Sequence, residues 1–428
     1  LDCEDVLYTG MIVKDPSGQA RTQYQFEYTT LSDKRPFLTK VIRKGSALSP
    51  TEDTRFIYNP GELPLLNAFS QDYYGYYNGA GNASLFPLSE FFSIQQRYGA
   101  TANREPNPAY AAMGMLSKII HPTGGSDTII YEGNDFYGSK QILPPLNTVN
   151  VSAMGTGFKQ TTTATSASFV VSYEQEAHVE ISIDNTNGGT FDPIHDRGTA
   201  IIKTTTGDEV YNRNENPDFY TNTIITLGPG TYVLEASGTG LGIKTEITVT
   251  CRVGNKVLSN GNILSAGLRV KKVITSQPGI ATQQVKTYNY RQVADTSKSS
   301  GGAQPTPDYL YSFTNRQFCN NGVVEYLYCN YSGMYSSSIV PVLLYEGGAS
   351  YANVTENWGE NAENGMVQHF YHVGSLTPAT QSGLGSGFLV GAPMTNTGTL
   401  NGKEQQTLVY RKQGTNLELV KSTDYSYK

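Results

Sequence analysis

Apolar and polar residues alternate with a period of two through much of this chain. Tyr24-Gln-Phe-Glu-Tyr28 alternates strictly, Arg55-Phe-Ile-Tyr58 more loosely, and Val285-Lys-Thr-Tyr-Asn-Tyr290 repeats the pattern far downstream. Successive side chains of a strand point to opposite faces, so these runs predict strands with one apolar and one wetter face. Helical periodicity is scarce. The best short candidate is residues 109–116, which Gly114 interrupts and Pro106 and Pro108 precede. Aromatic residues two apart share one side of a sheet, where they stack along and across strands. Tyrosine suits such a half-exposed wall, because its ring buries apolar area while its hydroxyl reaches water or a backbone carbonyl. Packing therefore accounts for these rings more simply than a sugar-binding platform, which would need them exposed.

Residues 150–253 read differently. A stiff Leu143-Pro-Pro-Leu146 break precedes six short strand patterns: Ala167-Ser-Phe-Val-Val-Ser-Tyr173, His178-Val-Glu-Ile-Ser-Ile-Asp184, Thr199-Ala-Ile-Ile-Lys203, Thr223-Ile-Ile-Thr-Leu227, Gly230-Thr-Tyr-Val-Leu-Glu-Ala236 and Lys244-Thr-Glu-Ile-Thr-Val-Thr250. Separated by Gly, Asn and Pro turns, they predict an inserted antiparallel β-sandwich of jelly-roll-like type. Within it, residues 226–235 resemble the L-x-x-G-x-Y corner of carbohydrate-binding-like sandwiches, which delivers a tyrosine (here Tyr232) into the core. That corner recurs in many non-catalytic modules.

At 428 residues the chain exceeds what one hydrophobic core usually supports. Low charge, abundant Gly, Thr, Ser and Asn, and 30 tyrosines against a single tryptophan, Trp358, favour strands and turns. The fold class expected is all-β. A net charge of −6 with scattered Lys and Arg gives no basic footprint for nucleic acid. No apolar run approaches the roughly 18 residues of a transmembrane helix. The first residues lack the basic start and apolar centre of a secretory signal, and Asp424-Tyr-Ser-Tyr-Lys428 stops in mid-pattern, so a segment of a longer polypeptide is expected.

Candidate chemistry is sparse. Asp184, Asn185, Asn187, Asp192 and Asp196 place hard oxygen donors in a Gly-rich loop between sandwich strands, which suits calcium; the same residues equally build left-handed turns in a solvated loop. The spacing departs from that of an EF-hand, and no other cofactor is implied. His369 and His372 fall on opposite faces of a strand, and no histidine or cysteine pair has zinc spacing. Of four cysteines, Cys319 and Cys329 flank a turn and a strand, compatible with a local disulfide in an oxidising compartment or with buried free thiols. Glu356, Glu360 and Glu363 cluster near Trp358, but glycoside hydrolysis needs two positioned carboxylates, and an Asn/Gly-rich loop reads as solvated. No nucleophile elbow or phosphate-binding loop occurs, so no enzyme is expected.

Two boxes carry a family resemblance. Gln71-Asp-Tyr-Tyr-Gly-Tyr-Tyr-Asn-Gly79 is similar to the D-Y-W-G-Y-Y-N-G box of large Rhs/YD-repeat-like proteins of Bacteroidota, with Tyr74 where tryptophan is usual. Residues 114–133, including His121-Pro-Thr-Gly-Gly-Ser-Asp-Thr, resemble the G-x-L-x-K-I-x-x-P-T-G-G box that follows it upstream of the YD repeats. Residues 267–275, 340–357 and 360–365 resemble further family segments, and residues 416–427 look like the start of such repeats. The resemblance implies an extended, twisted β architecture from residues 1–149 and 254–428, interrupted by the sandwich at 150–253. Tyr73, Tyr74, Tyr76 and Tyr77, with Gly75 and Gly79, would be its packing node. It further implies a scaffold role in a large exported, surface or outer-membrane protein, by the type 9 route, serving adhesion, gliding or competition. Its partners would be other regions of the same polypeptide and outer-membrane secretion or surface-anchoring proteins. Asp127-Thr128-Ile129 resembles the O-glycosylation signal of these bacteria, which would place a glycan on Thr128. Glycan binding by the sandwich, or support of a toxin whose warhead lies elsewhere, are the alternative roles.

Overall fold

A computed structural model describes residues 7–30, 35–45, 51–303, 310–320, 324–334, 349–374, 382–384, 387–389 and 400–427, without the side chains of 303–334 and 382–389. Apart from two short helices, the regular secondary structure of the described residues is all strand, as the alternation predicts. They divide into two units. The first comprises residues 1–87, 102–138 and 261–428, and the second residues 88–101 and 139–260. Among the described residues no helix is long and apolar enough to cross a membrane.

The first unit is organised on a twelve-stranded antiparallel sheet. Six strands precede the insertion (Gly10–Lys14, Ala20–Thr30, Pro36–Lys44, Glu52–Tyr58, Leu116–Ile120, Ser126–Ile142), and six follow it (Val257–Ser276, Gln284–Asn289, Asn353–Trp358, Met366–Tyr371, Glu404–Gln413, Asn416–Asp424). They lie side by side in chain order, so the two flanks meet where Ser126–Ile142 neighbours Val257–Ser276. Tyrosine hydroxyls reinforce the ladder by donating to backbone carbonyls of nearby strands: Tyr58 to Leu38 at 2.8 Å, Tyr131 to Leu116 at 2.9 Å and Tyr290 to Val270 at 2.7 Å. The helical candidate at 109–116 shrinks to one turn, Pro108–Ala111, capped by the Asn107 side chain on the Ala109 N–H. Gly114 turns the chain at a φ of 73°, and a strand begins at Leu116.

The second unit is a β-sandwich of nine strands rather than six. One sheet runs Phe219–Leu227, Gln175–Asn185, Ile243–Arg252, Leu146–Met154; the other runs Glu209–Glu215, Arg197–Thr204, Gly230–Thr239, Thr161–Thr165, with Phe169–Val171 also on Gly230–Thr239. Strict alternation drives alternate side chains inward, and Val179, Ile181, Ile183, Ile202, Leu234, Ile247 and Val249 are fully enclosed. Tyr232 enters the same core and donates its hydroxyl to the Gly228 carbonyl at 2.9 Å, forming the predicted corner. Cys251 is a buried free thiol, pushed up to about 11 by its burial.

The sandwich unit is wider than 150–253, and it recruits an unforeseen segment. Residues 88–101 carry a short helix, Phe92–Tyr98, whose Ser93 N–H donates to Glu176 at 2.8 Å while Phe92 lies 6.0 Å from the His178 ring. Lys256 closes this attachment with a 2.9 Å bridge to Glu90.

Truncating Ile181 to alanine removes a fully buried side chain from the sandwich centre and is expected to cost about 2–5 kcal/mol. Urea denaturation followed by circular dichroism would measure it; a loss below about 1 kcal/mol would mean that the core is looser than described.

Candidate functional site

The junction of the two flanks holds a dense polar cluster. Arg269, on Val257–Ser276, is 9% exposed and faces Ser126–Ile142. Its Nε donates to Glu132 Oε1 at 2.7 Å, and its Nη1 reaches Asp135 Oδ1 and the Tyr351 hydroxyl, each at 2.6 Å. The guanidinium also lies over two rings, 4.5 Å from the Tyr290 centroid and 5.0 Å from that of Tyr351. Arg291 adds a 2.9 Å ion pair to Asp135 Oδ2. Burial alone would raise Asp135, but the hydrogen bond from Arg269 and the field of Arg291 hold it below the usual carboxylate range. Burial also works against the Arg269 charge, and Asp135 with Tyr351 and Glu132 more than offsets it.

Beside this cluster the sheet forks. Val257–Ser276 pairs with Gln284–Asn289 only from Lys272–Thr287 to Thr275–Gln284, and the ladder does not continue to Lys271 and Tyr288. A groove of about 460 Å³ occupies the fork, lined by the consecutive residues Thr287 to Arg291 and by both Lys271 and Lys272. Consecutive residues of a strand face opposite ways. The lining thus takes in residues from both faces of Gln284–Asn289 and from the chain just beyond it. On its walls Lys272 binds Glu360, and Lys271 makes a long 3.9 Å approach to Glu132. The family-like segment at residues 267–275 covers Arg269, Lys271 and Lys272 but did not announce this site. Its only trace was Arg269-Val-Lys-Lys272, an unusual density of cations for a strand.

The tyrosine box forms a separate knot. Asp72 is 1% exposed, and its Oδ1 accepts from the backbone N–H of Tyr74 at 2.9 Å and of Tyr76 at 3.0 Å, fixing the left-handed turn at Gly75. Arg104, equally enclosed, donates through Nε and Nη2 to the Asp72 carbonyl and lies over the Tyr73 ring at 5.6 Å. Tyr74 packs with Ala266, while Tyr77 meets Tyr110 edge to face at 5.2 Å. Two glycines make this fit possible: a Cβ on Gly79 would collide with the Tyr110 ring, and one on Gly267 would come within 2.9 Å of the Tyr76 ring. The box thus packs against the strand that carries Arg269.

The other predicted positions are engaged locally. In the candidate calcium loop, Asp192 accepts from His195 Nδ1 at 2.6 Å and from the Ile194 N–H, Asp196 accepts from the Asp192 N–H at 2.8 Å, and Asn185 accepts from the Asn187 N–H. Asn187 Nδ2 donates to the Leu241 carbonyl at 2.7 Å. These are turn-building bonds, and among the described residues no group of three or more His, Cys, Asp or Glu side chains is arranged to hold a metal ion. Glu356 is bound by Lys286 at 2.8 Å and by the Trp358 indole, Glu360 by Lys272, and Glu363 by the Asn361 N–H at 3.0 Å. Burial raises Glu356, but Lys286 and Trp358 bring it below its ordinary value. A carboxyl held low is ionised near neutral pH and has no proton to donate, and these three acids are not paired with one another. His369 binds Glu404 at 2.6 Å, while His372 lies 6.4 Å from the Tyr427 ring.

Thr128 sits within Ser126–Ile142, half-buried opposite Lys118, with Asp127 engaged by His121 at 2.7 Å and by Thr275. The side chains of Cys319 and Cys329 lie outside the described residues. Their backbone register places Cys319 opposite Glu325 and Cys329 opposite Asn315, four positions out of step. At about 3.4 Å per residue that offset exceeds the Cα separation of about 7 Å that a disulfide tolerates, so this register does not support the bridge.

No family model matches the chain, and no curated protein matches it. Among solved structures, a chain from "Structure of infectious bursal disease virus Gt strain" aligns over 65% of this chain and 75% of its own length, at 11% identity and a TM-score of 0.17. A likeness at that score carries no argument about fold or role.

Replacing Arg269 with methionine would leave the largely buried Asp135 with Arg291 as its remaining cation and Glu132 without its close partner, and is expected to cost about 3 kcal/mol, measured by urea denaturation; an unchanged midpoint would show that the cluster is not held as described. At the tyrosine knot, burial pushes the Asp72 carboxyl up to about 6, from 3.8 in the unfolded chain. A raised value means that the folded chain binds this proton more tightly. The group therefore stabilises the fold below pH 3.8, and that contribution is lost as pH rises through about 6. Asp72→Asn keeps an oxygen for the two N–H donors but removes the titration. The Tm advantage of the native chain over this variant should be largest near pH 4 and shrink toward pH 7 in thermal melts; a difference independent of pH would refute the assignment.

Proposed function

We propose that this chain is a non-enzymatic structural segment of a large exported surface protein of the Rhs/YD-repeat-like kind, in which the twelve-stranded sheet forms part of a longer β scaffold. The observation that carries this reading is the state of the sheet's two outer strands. Among the described residues nothing pairs with the outer edge of Gly10–Lys14 or of Asn416–Asp424. Both strands expose large apolar side chains: Met11, Ile12 and Val13 on one, Leu417, Leu419 and Val420 on the other. The edges carry a bulge at Val13/Lys14 and the charges Lys14, Glu418 and Lys421, devices that blunt a sheet end, yet the exposed apolar side chains between them still offer a template for further pairing. Edges of this kind fit a sheet that continues, and the partner in this reading is further β structure of the same polypeptide. Its place would be the cell surface or the outer membrane, reached by the type 9 route, with adhesion, gliding or competition as the process served. The family resemblance of the tyrosine and His-Pro-Thr-Gly-Gly boxes supports that context.

Hydrogen exchange tests the continuation directly. The amides of Asn416–Asp424 that face outward are expected to exchange rapidly in this chain alone and to be protected at least about 100-fold in the natural full-length product. Equally rapid exchange in both, or a natural product without β structure beyond this sheet, would overturn the proposal.

A further inference from the structure

We infer that the groove in the forked sheet is a binding site for a singly charged acidic sugar, a hexuronate-type unit carrying one carboxylate. Three observations lead there. The first is size: about 460 Å³ lies within the roughly 300–1,000 Å³ typical of small-molecule pockets and accommodates a sugar ring. The second is charge. Four cations, Arg269, Lys271, Lys272 and Arg291, line the groove, and three carboxylates, Glu132, Asp135 and Glu360, answer them. Arg269 is spent on Glu132 and Asp135, Arg291 on Asp135 and Lys272 on Glu360. The surplus is one positive charge, and it resides on Lys271, whose side chain is 60% exposed and sits 3.9 Å from a Glu132 already held at 2.7 Å by Arg269. A flexible ammonium of this kind can turn to an incoming carboxylate without breaking a close pair.

The third observation is the rest of the lining. Thr287, Asn289 and Asn357 bring hydroxyl and amide groups that both donate and accept, matching the hydroxyls of a sugar. Tyr288 and Tyr290 supply aromatic surface, and Tyr290 is anchored by its own hydroxyl on the Val270 carbonyl. Because the ladder stops at Lys272–Thr287, a ring can enter the fork without displacing a strand pairing. A purely apolar ligand would leave these polar groups without partners, and a doubly charged anion would exceed the single uncompensated cation.

The test uses the full chain and two methyl glycosides that differ only at C6: methyl α-D-galactopyranosiduronate, which carries the carboxylate, and methyl α-D-galactopyranoside, which is neutral. Chemical-shift titration at low ionic strength is expected to show saturable, one-site binding of the acid, at least about tenfold tighter than the neutral sugar and than sodium acetate. Lys271→Glu should weaken the acid by a further factor of about ten or more, and Lys271→Ala by a smaller factor. Lys421→Glu, the same charge change at an exposed position on the outer strand, should weaken it less than about twofold. Absence of saturable binding at millimolar ligand, equal binding of the neutral sugar or of acetate, or equal loss in the Lys271 and Lys421 variants would each overturn the assignment. The two Lys271 variants are read only alongside thermal melts that match the native chain.

Discussion

Everything in the first unit depends on how two stretches of chain, separated by the whole of Ser139–Asn260, register against each other along Ser126–Ile142 and Val257–Ser276. A slip by one residue would turn every side chain to the wrong face, but a slip by two restores the same alternation, so the pattern of faces leaves the register open in even steps. Arg269 supplies the missing constraint. Its planar guanidinium has a fixed fork of donors, and here they meet Glu132 and Asp135 from one neighbour and Tyr351 from another segment. A slipped strand would bury that charge without its partners. Replacing such a network with apolar residues is often neutral or better for stability, so its contribution is best understood as choosing one alignment among several.

Tyrosine does analogous work on a smaller scale. In both units its hydroxyl repeatedly ends on a backbone carbonyl, with Tyr232 on Gly228 in the sandwich and Tyr58, Tyr131 and Tyr290 in the sheet. The ring covers apolar area while the hydroxyl satisfies an acceptor. Phenylalanine could do only the first, and this division of labour explains why a chain of so many strands is rich in tyrosine and nearly without tryptophan.

How much of this was legible follows from burial. The central sandwich strands were readable because alternation there is strict and their inward residues are fully enclosed, as at Val179, Ile181 and Ile183. Leu146–Met154, Thr161–Thr165 and Glu209–Glu215 were missed; each lies at the edge of its sheet, where side chains are largely wet and threonine, asparagine and glutamate dilute the pattern. The helix Phe92–Tyr98 has no buried residue and no side-chain cap, so neither periodicity nor a capping box marked it. The tyrosine box stood out as a motif, yet its organising residues are Asp72 and Arg104, and the pairing of Arg104 with a carbonyl 32 positions away has no local signal. The groove was invisible for the same reason: it is made by where a ladder stops, a property of two strands together and of neither alone.

The way the second unit is joined has its own meaning. One excursion leaves and returns through neighbouring strands, where Ser139 and Asn260 touch side chain to side chain at 2.6 Å. The other, residues 88–101, is closed at its root by the Pro87–Ala102 bridge and by the Ala102 N–H on the Phe86 carbonyl at 2.9 Å. Each opening is therefore no wider than a hairpin, and to the sheet the whole sandwich is equivalent to two turns. The sandwich could therefore be lengthened, exchanged or removed at these two openings while the ladder of the sheet stays closed.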